Sequence, residues 1–108
     1  MAIHILHHWN NIRMVIGVAT IELRIPMNDS LKGKRSVIKP IISKLRNDFN
    51  VSVAEVDDQD SLRTAVIGVA CISSDQDYAH GLLMKVVENV ERLRMDAELV
   101  DYEIEMIT

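Results

Sequence analysis

Between Val15 and Ile25 the chain alternates. Ile21, Leu23 and Ile25 are separated by Glu22 and Arg24 and preceded by Thr20, the period of two of a half-buried strand. Pro26 ends the run, and Asn28-Asp29-Ser30 offers turn and N-cap chemistry. The period then changes. Leu31, Ile38, Ile42, Leu45 and Phe49 recur at spacings of seven, four, three and four, which predicts one apolar face of a long helix. Two residues oppose it locally: Gly33 costs about 1 kcal/mol against Ala, and Pro40 lacks an amide donor and is expected to kink the axis or loosen its first turns.

Asn50 to Val56 reads as a short strand, and the polar break Asp57-Asp58-Gln59-Asp60-Ser61 leads into a second, strongly β-prone run from Leu62 to Ser73. The two predict a hairpin. Ser74 with Asp77 resembles a capping arrangement, and Tyr78, Leu82, Leu83, Val86, Val87, Val90 and Leu93 mark a second helix to about Met95, weakened in its first half by Gly81. Finally Val100, Tyr102, Ile104 and Met106 alternate with Asp101, Glu103 and Glu105, the cleanest strand pattern in the chain.

The resulting order β-α-β-β-α-β predicts an α+β, ferredoxin-like sandwich: a four-stranded antiparallel sheet with both helices on one face. The opposite face is left open. Ile16 and Val18 share the outward parity of Thr20, Glu22 and Arg24, and the third strand is apolar on both parities from Ala65 to Ile72. An exposed apolar centre of this kind marks an interface, so Ile16 and Val18 are candidates for a homodimer contact. The rim of the same face, with Glu22, Asp101, Glu103 and Glu105, is acidic.

A length of 108 residues fits one domain, placed at 14–108, behind an arm at 1–13 that follows neither period. Met14 is an alternative natural start. The arm holds His4, His7 and His8, a spacing that can ligate zinc or nickel, but with no Cys or carboxylate nearby a chance cluster is favoured, and neither metal nor cofactor is expected. The single cysteine, Cys71, lies in an apolar run and reads as a small buried hydrophobe. No window has the apolar length of a membrane span, and the N-terminus lacks the layout of a secretory signal, so a cytoplasmic protein is expected.

Charge sharpens the picture. The chain carries −4 overall, yet residues 30–47 hold six basic residues and no acidic one, leaving near −10 for the rest. At 100° per residue, Lys32, Arg35, Lys39 and Arg46 fall in a sector of about 60° on one helix flank. Lys34 and Lys44 lie elsewhere on the wheel. Such a stripe is the footprint of a phosphate-backbone contact, and Lys32, Lys34, Arg35, Lys39 and Arg46 are the candidate RNA-binding residues. The competing reading is a solvated helix face. The net acidity argues against indiscriminate nucleic-acid binding, and no DNA sequence readout is expected.

The chemistry of other βαββαβ proteins is missing. The third strand has no aromatic residue on which a base would stack, there is no cysteine pair for a metal, and Ile25-Pro26-Met27-Asn28-Asp29 lacks an arginine loop for phosphate. The acidic hairpin tip, Glu55, Asp57, Asp58 and Asp60, lacks EF-hand spacing and reads as a solvated turn, and His80 has no catalytic neighbour in the sequence. No catalytic constellation is found.

Two blocks carry a resemblance. Ser30-Leu31-Lys32-x-Lys34-Arg35 and Asn50-Val51-Ser52-Val53-Ala54-Glu55-Val56-Asp57-x-Gln59-Asp60 look like the bacterial YlxP-like family, and the likeness runs from Met14 to about Ile107. Gly33, Pro40, Leu62 and Thr64 depart from the family's usual residues. The resemblance implies a ferredoxin-like fold without an established activity. Its genes commonly lie beside those for a translation initiation factor and a ribosome-binding factor, which implies a role near ribosome maturation. The expectation is therefore a non-catalytic binding domain that contacts structured RNA or a ribosomal particle through its basic first helix. The alternative is a dimeric small-molecule-binding regulatory domain of the amino-acid-sensing type.

Overall fold

A computed structural model describes residues 13–93 and 96–107. The expected arm lies outside them apart from Arg13, and so do His4, His7, His8 and the expected helix end at Met95. The elements are β1 (Val15–Arg24), α1 (Leu31–Asp48), β2 (Ser52–Asp57), β3 (Thr64–Ser73), α2 (Gln76–Leu93) and β4 (Glu98–Met106), the βαββαβ order read from the periodicity. The strands form one antiparallel sheet in the order β2-β3-β1-β4, with β2 and β4 at its edges. Both helices cover one face.

Alternation decides what each strand buries. Ala19, Ile21 and Leu23 of β1 and Ala65, Ile67 and Val69 of β3 meet Val37, Ile38, Ile41 and Leu45 of α1 and Leu83, Val86, Val87 and Val90 of α2 in a single core. Cys71 belongs to that core, where burial pushes its thiol pKa up. In β4 the register slips at Val100: Glu22 pairs with Asp101 but Leu23 with Leu99, so one extra residue bulges out. Val100 therefore leaves the alternation, and Leu99, Ile104 and Met106 are the β4 residues packed against the core.

Three local expectations differ from the structure. The core face of α1 is centred on Val37, Ile38, Ile41 and Leu45, while Leu31 and Ile42 fall to one side of it. The spacing rule found the correct period but a face rotated by part of a turn, because Leu31 and Ile42 are apolar without being central. As expected, α1 continues through Pro40; the residue sits on the solvent side, where the missing donor costs the core nothing. The cap of α2 is Asp75 rather than Ser74, its Oδ1 accepting from Asp77 N at 3.1 Å. Tyr78 is 63% exposed, so the buried face of α2 begins at Ala79.

The two connections at one end of the sheet are held together by polar groups. Met27 (φ 70°) and Asp58 (φ 59°) occupy the left-handed region, one in the β1–α1 loop and one in the β2–β3 loop. Asn28 Nδ2 donates to Ser30 O at 2.8 Å and to Leu62 O, and Arg63 Nε donates to Asn28 O at 2.9 Å. Lys34 completes the clasp. Its side chain is 3% exposed, and its ammonium lies 2.8 Å from Glu55 Oε2 while donating to Asp58 O at 2.6 Å and Ser61 O at 2.9 Å. Two of its hydrogens thus meet backbone carbonyls and the Glu55 carboxylate compensates its charge, the condition under which a buried ammonium is tolerated. Gly33 belongs to the same clasp, since a Cβ there would collide with Asn28 Oδ1.

Removing the buried charge should therefore cost more than a surface change. Lys34→Met keeps the stem but strands the Glu55 carboxylate, and is expected to lower unfolding stability by roughly 3 kcal/mol. Chemical denaturation measures it, and a loss below about 1 kcal/mol would place the clasp among ordinary surface pairs. Glycine replacements give an independent check of sign. Gly81→Ala meets open space and should gain about 1 kcal/mol from helix propensity, whereas Gly33→Ala should destabilise despite the same intrinsic gain.

Candidate functional site

On α1 the sequence separates three kinds of surface around one helix. Val37, Ile41 and Leu45 face the core; Leu31 and Ile42 flank it; Lys32, Arg35, Lys39 and Arg46 lie beyond, all exposed. The basic stripe expected from the wheel is thus present as one flank of α1, on the side of edge strand β2. Arg46 reaches that strand, its Nη2 donating to Val53 O at 2.7 Å. No carboxylate among the described residues forms an ion pair with Lys32, Arg35, Lys39 or Arg46. Lys44, off the stripe, pairs instead with Asp48 at 2.6 Å, one helical turn on.

Lys34 is the exception among the candidates. Buried, and with its ammonium committed to Glu55, Asp58 and Ser61, it is turned away from the flank and stabilises the loops behind it. Its position in a basic run concealed this, because charge counting does not distinguish a cation on the surface from one inside.

Between α1 and β2 runs a groove of about 330 Å³ that the sequence did not reveal. Leu31, Ile38 and Ile42 supply its apolar floor, Arg35 and Lys39 one rim, and Glu55 and Gln59 the opposite wall. The carboxylate of Glu55 is anchored by Lys34, so the wall is fixed by the clasp. The available signal was the off-centre placement of Leu31 and Ile42 on the α1 wheel. Two apolar residues outside the core sector leave a strip that the sheet does not cover.

The open face of the sheet is a second surface. Ile16 and Val18 lie on it opposite Ile72 and Ala70 in the β1–β3 register, and Ile72 is 62% exposed. Val56 bulges from β2 over Gly68, and the shallow hollow beside it, about 310 Å³, is lined by Val18, Ala54 and Ala70 among others. Toward β4 the same face turns acidic: Glu22, Asp101 and Glu103 border another hollow of about 270 Å³, and Glu105 pairs across from Val18. The face is thus apolar on one half and anionic on the other.

The remaining candidates are accounted for locally. Asp58 Oδ2 accepts from Thr64 Oγ1 at 3.0 Å and Asp57 Oδ1 from Asp58 N at 2.8 Å, so two carboxylates of the acidic hairpin tip bond locally, while Glu55 pairs with Lys34. Among the described residues no group of three or more His, Cys, Asp or Glu is placed to hold a metal ion, and no helix is long and apolar enough to cross a membrane.

Comparisons with known proteins agree with this architecture. The family described as "Protein of unknown function (DUF503)" matches residues 16–104. The "Uncharacterized protein YlxP" of Bacillus subtilis (strain 168) is 35% identical over 77 residues, covering 71% of this chain and 84% of that protein. Among solved structures, the de novo designed protein Foldit4 superposes with a TM-score of 0.51 at 16% identity, covering 88% of this chain and 97% of its own. A C-terminal segment of the alpha subunit of aIF2 from Pyrococcus abyssi gives 0.50 at 14% identity, covering 95% of this chain and 55% of that one. Likenesses at such low identity speak for the fold alone. The family is shown by sequence: this chain belongs to the DUF503 family of proteins of unknown function, the YlxP-like group that its two sequence blocks resemble.

Proposed function

We propose that the chain is a non-catalytic binding domain that contacts the phosphate backbone of structured RNA or of a ribosomal particle through the exposed flank of α1. The observation that carries this reading is the set Lys32, Arg35, Lys39 and Arg46, aligned on one side of a helix and without carboxylate ion pairs among the described residues, in a chain of net charge −4. Stability does not account for such a run, because neighbouring like charges repel and a solvated helix gains from interspersed Glu. Along the axis Arg35 and Lys39 are separated by about 6 Å at 1.5 Å per residue, comparable to the separation of successive phosphates on one strand. The acidic half of the sheet repels the same ligand and favours one orientation.

The binding reading also includes a second copy. We infer that the apolar half of the open face, around Ile16, Val18, Val56 and Ile72, covers its counterpart in a homodimer, since leaving it wet forgoes roughly 25 cal/mol for each Å² that association would bury.

Co-sedimentation with ribosomal subunits at low and physiological salt tests the first reading. The wild type should bind with an affinity that falls as salt rises, and the double variant Arg35→Glu, Lys39→Glu should lose binding and flatten the logarithmic salt slope by about 2, with its thermal midpoint nearly unchanged. Subunits retained equally by both proteins at both salt concentrations would reduce the flank to a solvated face. For the dimer, light scattering at micromolar concentration should give twice the chain mass, and Val18→Lys should halve it. A monomeric wild type overturns that part of the proposal alone.

A further inference from the structure

The groove beside the basic flank has a composition that the phosphate reading does not use. Its floor is aliphatic (Leu31, Ile38 and Ile42), its outer rim cationic (Arg35 and Lys39), and its far side holds the Gln59 amide and the Glu55 carboxylate, the latter paired with Lys34, which also lines the groove. Glu55 Oε2 is buried and meets Lys34 at 2.8 Å as an ion pair, but makes no hydrogen bond of good geometry among the described residues. A carboxylate has about four acceptor positions, and with Oε2 buried against Lys34 the side chain is still 25% exposed, so the acceptor capacity the wall offers the slot is that of its accessible part. At about 330 Å³ the slot sits at the lower end of ligand clefts, which run from about 300 Å³. That is room for one nucleotide and too little for a duplex.

We propose that the α1–β2 groove receives one unstacked nucleotide of a single-stranded RNA segment. Its base lies on Leu31 and Ile42 with its hydrogen-bonding edge on Glu55 and Gln59, and its flanking phosphates lie on Arg35 and Lys39. This inference rests on the phosphate reading and deepens it. The basic flank supplies affinity without sequence information, whereas an extruded base presents its edge to side chains and is read. The chemistry of the wall distinguishes this occupant from an acidic peptide. A peptide that satisfied Arg35 and Lys39 with carboxylates would bring the same groups toward Glu55, whereas a nucleobase brings N–H donors on a flat apolar ring. The clasp makes the groove rigid in advance, since Lys34 fixes Glu55 and the connection that carries Gln59 is held at Asp58 and Ser61.

Fluorescence anisotropy with short single-stranded homopolymeric RNAs of A, C, G and U, a hairpin duplex, the four free mononucleotides and poly-glutamate separates the possibilities. Wild type should prefer one or two of the four bases by about tenfold, bind single strands more tightly than the duplex, and ignore poly-glutamate. Gln59→Ala, at an exposed loop position, should flatten the base preference while leaving the salt slope intact. Ile42→Asn, verified as folded by its thermal midpoint, should weaken every single strand about tenfold, again with an unchanged slope. The inference is overturned if both variants match wild type, if duplex binds as tightly as single strands, if free mononucleotides bind as tightly as the oligomers, or if poly-glutamate displaces the RNA. The Arg35→Glu, Lys39→Glu protein isolates the underlying reading. Loss of all RNA binding in that variant together with unaltered Gln59 and Ile42 variants would leave the phosphate surface standing and remove only the nucleotide slot.

Discussion

The ammonium of Lys34 is the constraint on which the working end of this molecule depends. A cation taken out of water is costly unless it is compensated, and here the Asp58 and Ser61 carbonyls accept from it at 2.6 and 2.9 Å while the Glu55 carboxylate pairs with its charge at 2.8 Å. Those acceptors belong to β2 and the β2–β3 connection, whereas Lys34 belongs to the first turn of α1. One side chain therefore joins the start of the helix to the hairpin, while Asn28 and Arg63 make a parallel link through the β1–α1 loop. The two sequence blocks that carry the family resemblance are the two halves of this clasp. Gly33 fits it: a side chain at that position would require Asn28, held by its own hydrogen bonds, to move.

With both walls fixed, α1 and β2 present a cleft of defined width whose lining differs in character from side to side. The helix contributes aliphatic residues and cations, and the strand and its connection contribute a carboxylate and an amide. Elsewhere the surface is organised by charge of the opposite sign. Glu22, Asp101, Glu103 and Glu105 gather on the β1–β4 half of the open face, leaving the β2–β3 half to Val18, Ala54, Val56 and Ala70. Acidic side chains along β4 also discourage that edge strand from adding further strands of its own kind. The domain thus carries three surfaces of three different chemistries.

Most of the fold was legible in the sequence because each element declares its period. Ile21, Leu23 and Ile25 against Glu22 and Arg24 identify a half-buried strand, and the double parity of Ala65 to Ile72 identifies a central one, which β3 is. The same rule failed at Val100, since a bulge adds a residue without leaving a compositional mark. The α1 face was read with the correct period and a shifted phase because Leu31 and Ile42, which line the groove, are as apolar as the Val37 and Ile41 that fill the core. The basic flank was visible as charge at helical spacing. The fate of Lys34 was not, since its acceptors include two backbone carbonyls brought near by long-range contacts, and nothing in a linear charge pattern announces them. The groove stayed hidden for the same reason: it exists only where two elements distant in sequence meet.

Backbone amide chemical shifts of the isotope-labelled chain, titrated with short single-stranded RNA of mixed sequence at low salt, address the central claim most directly, because they show where on the surface the ligand sits. The account predicts perturbations concentrated on Lys32, Arg35, Lys39, Ile42, Arg46 and Gln59, with the amides of Glu103 and Glu105 unmoved. Perturbations gathered on the open sheet face, or none at all while the chain stays folded, would contradict it.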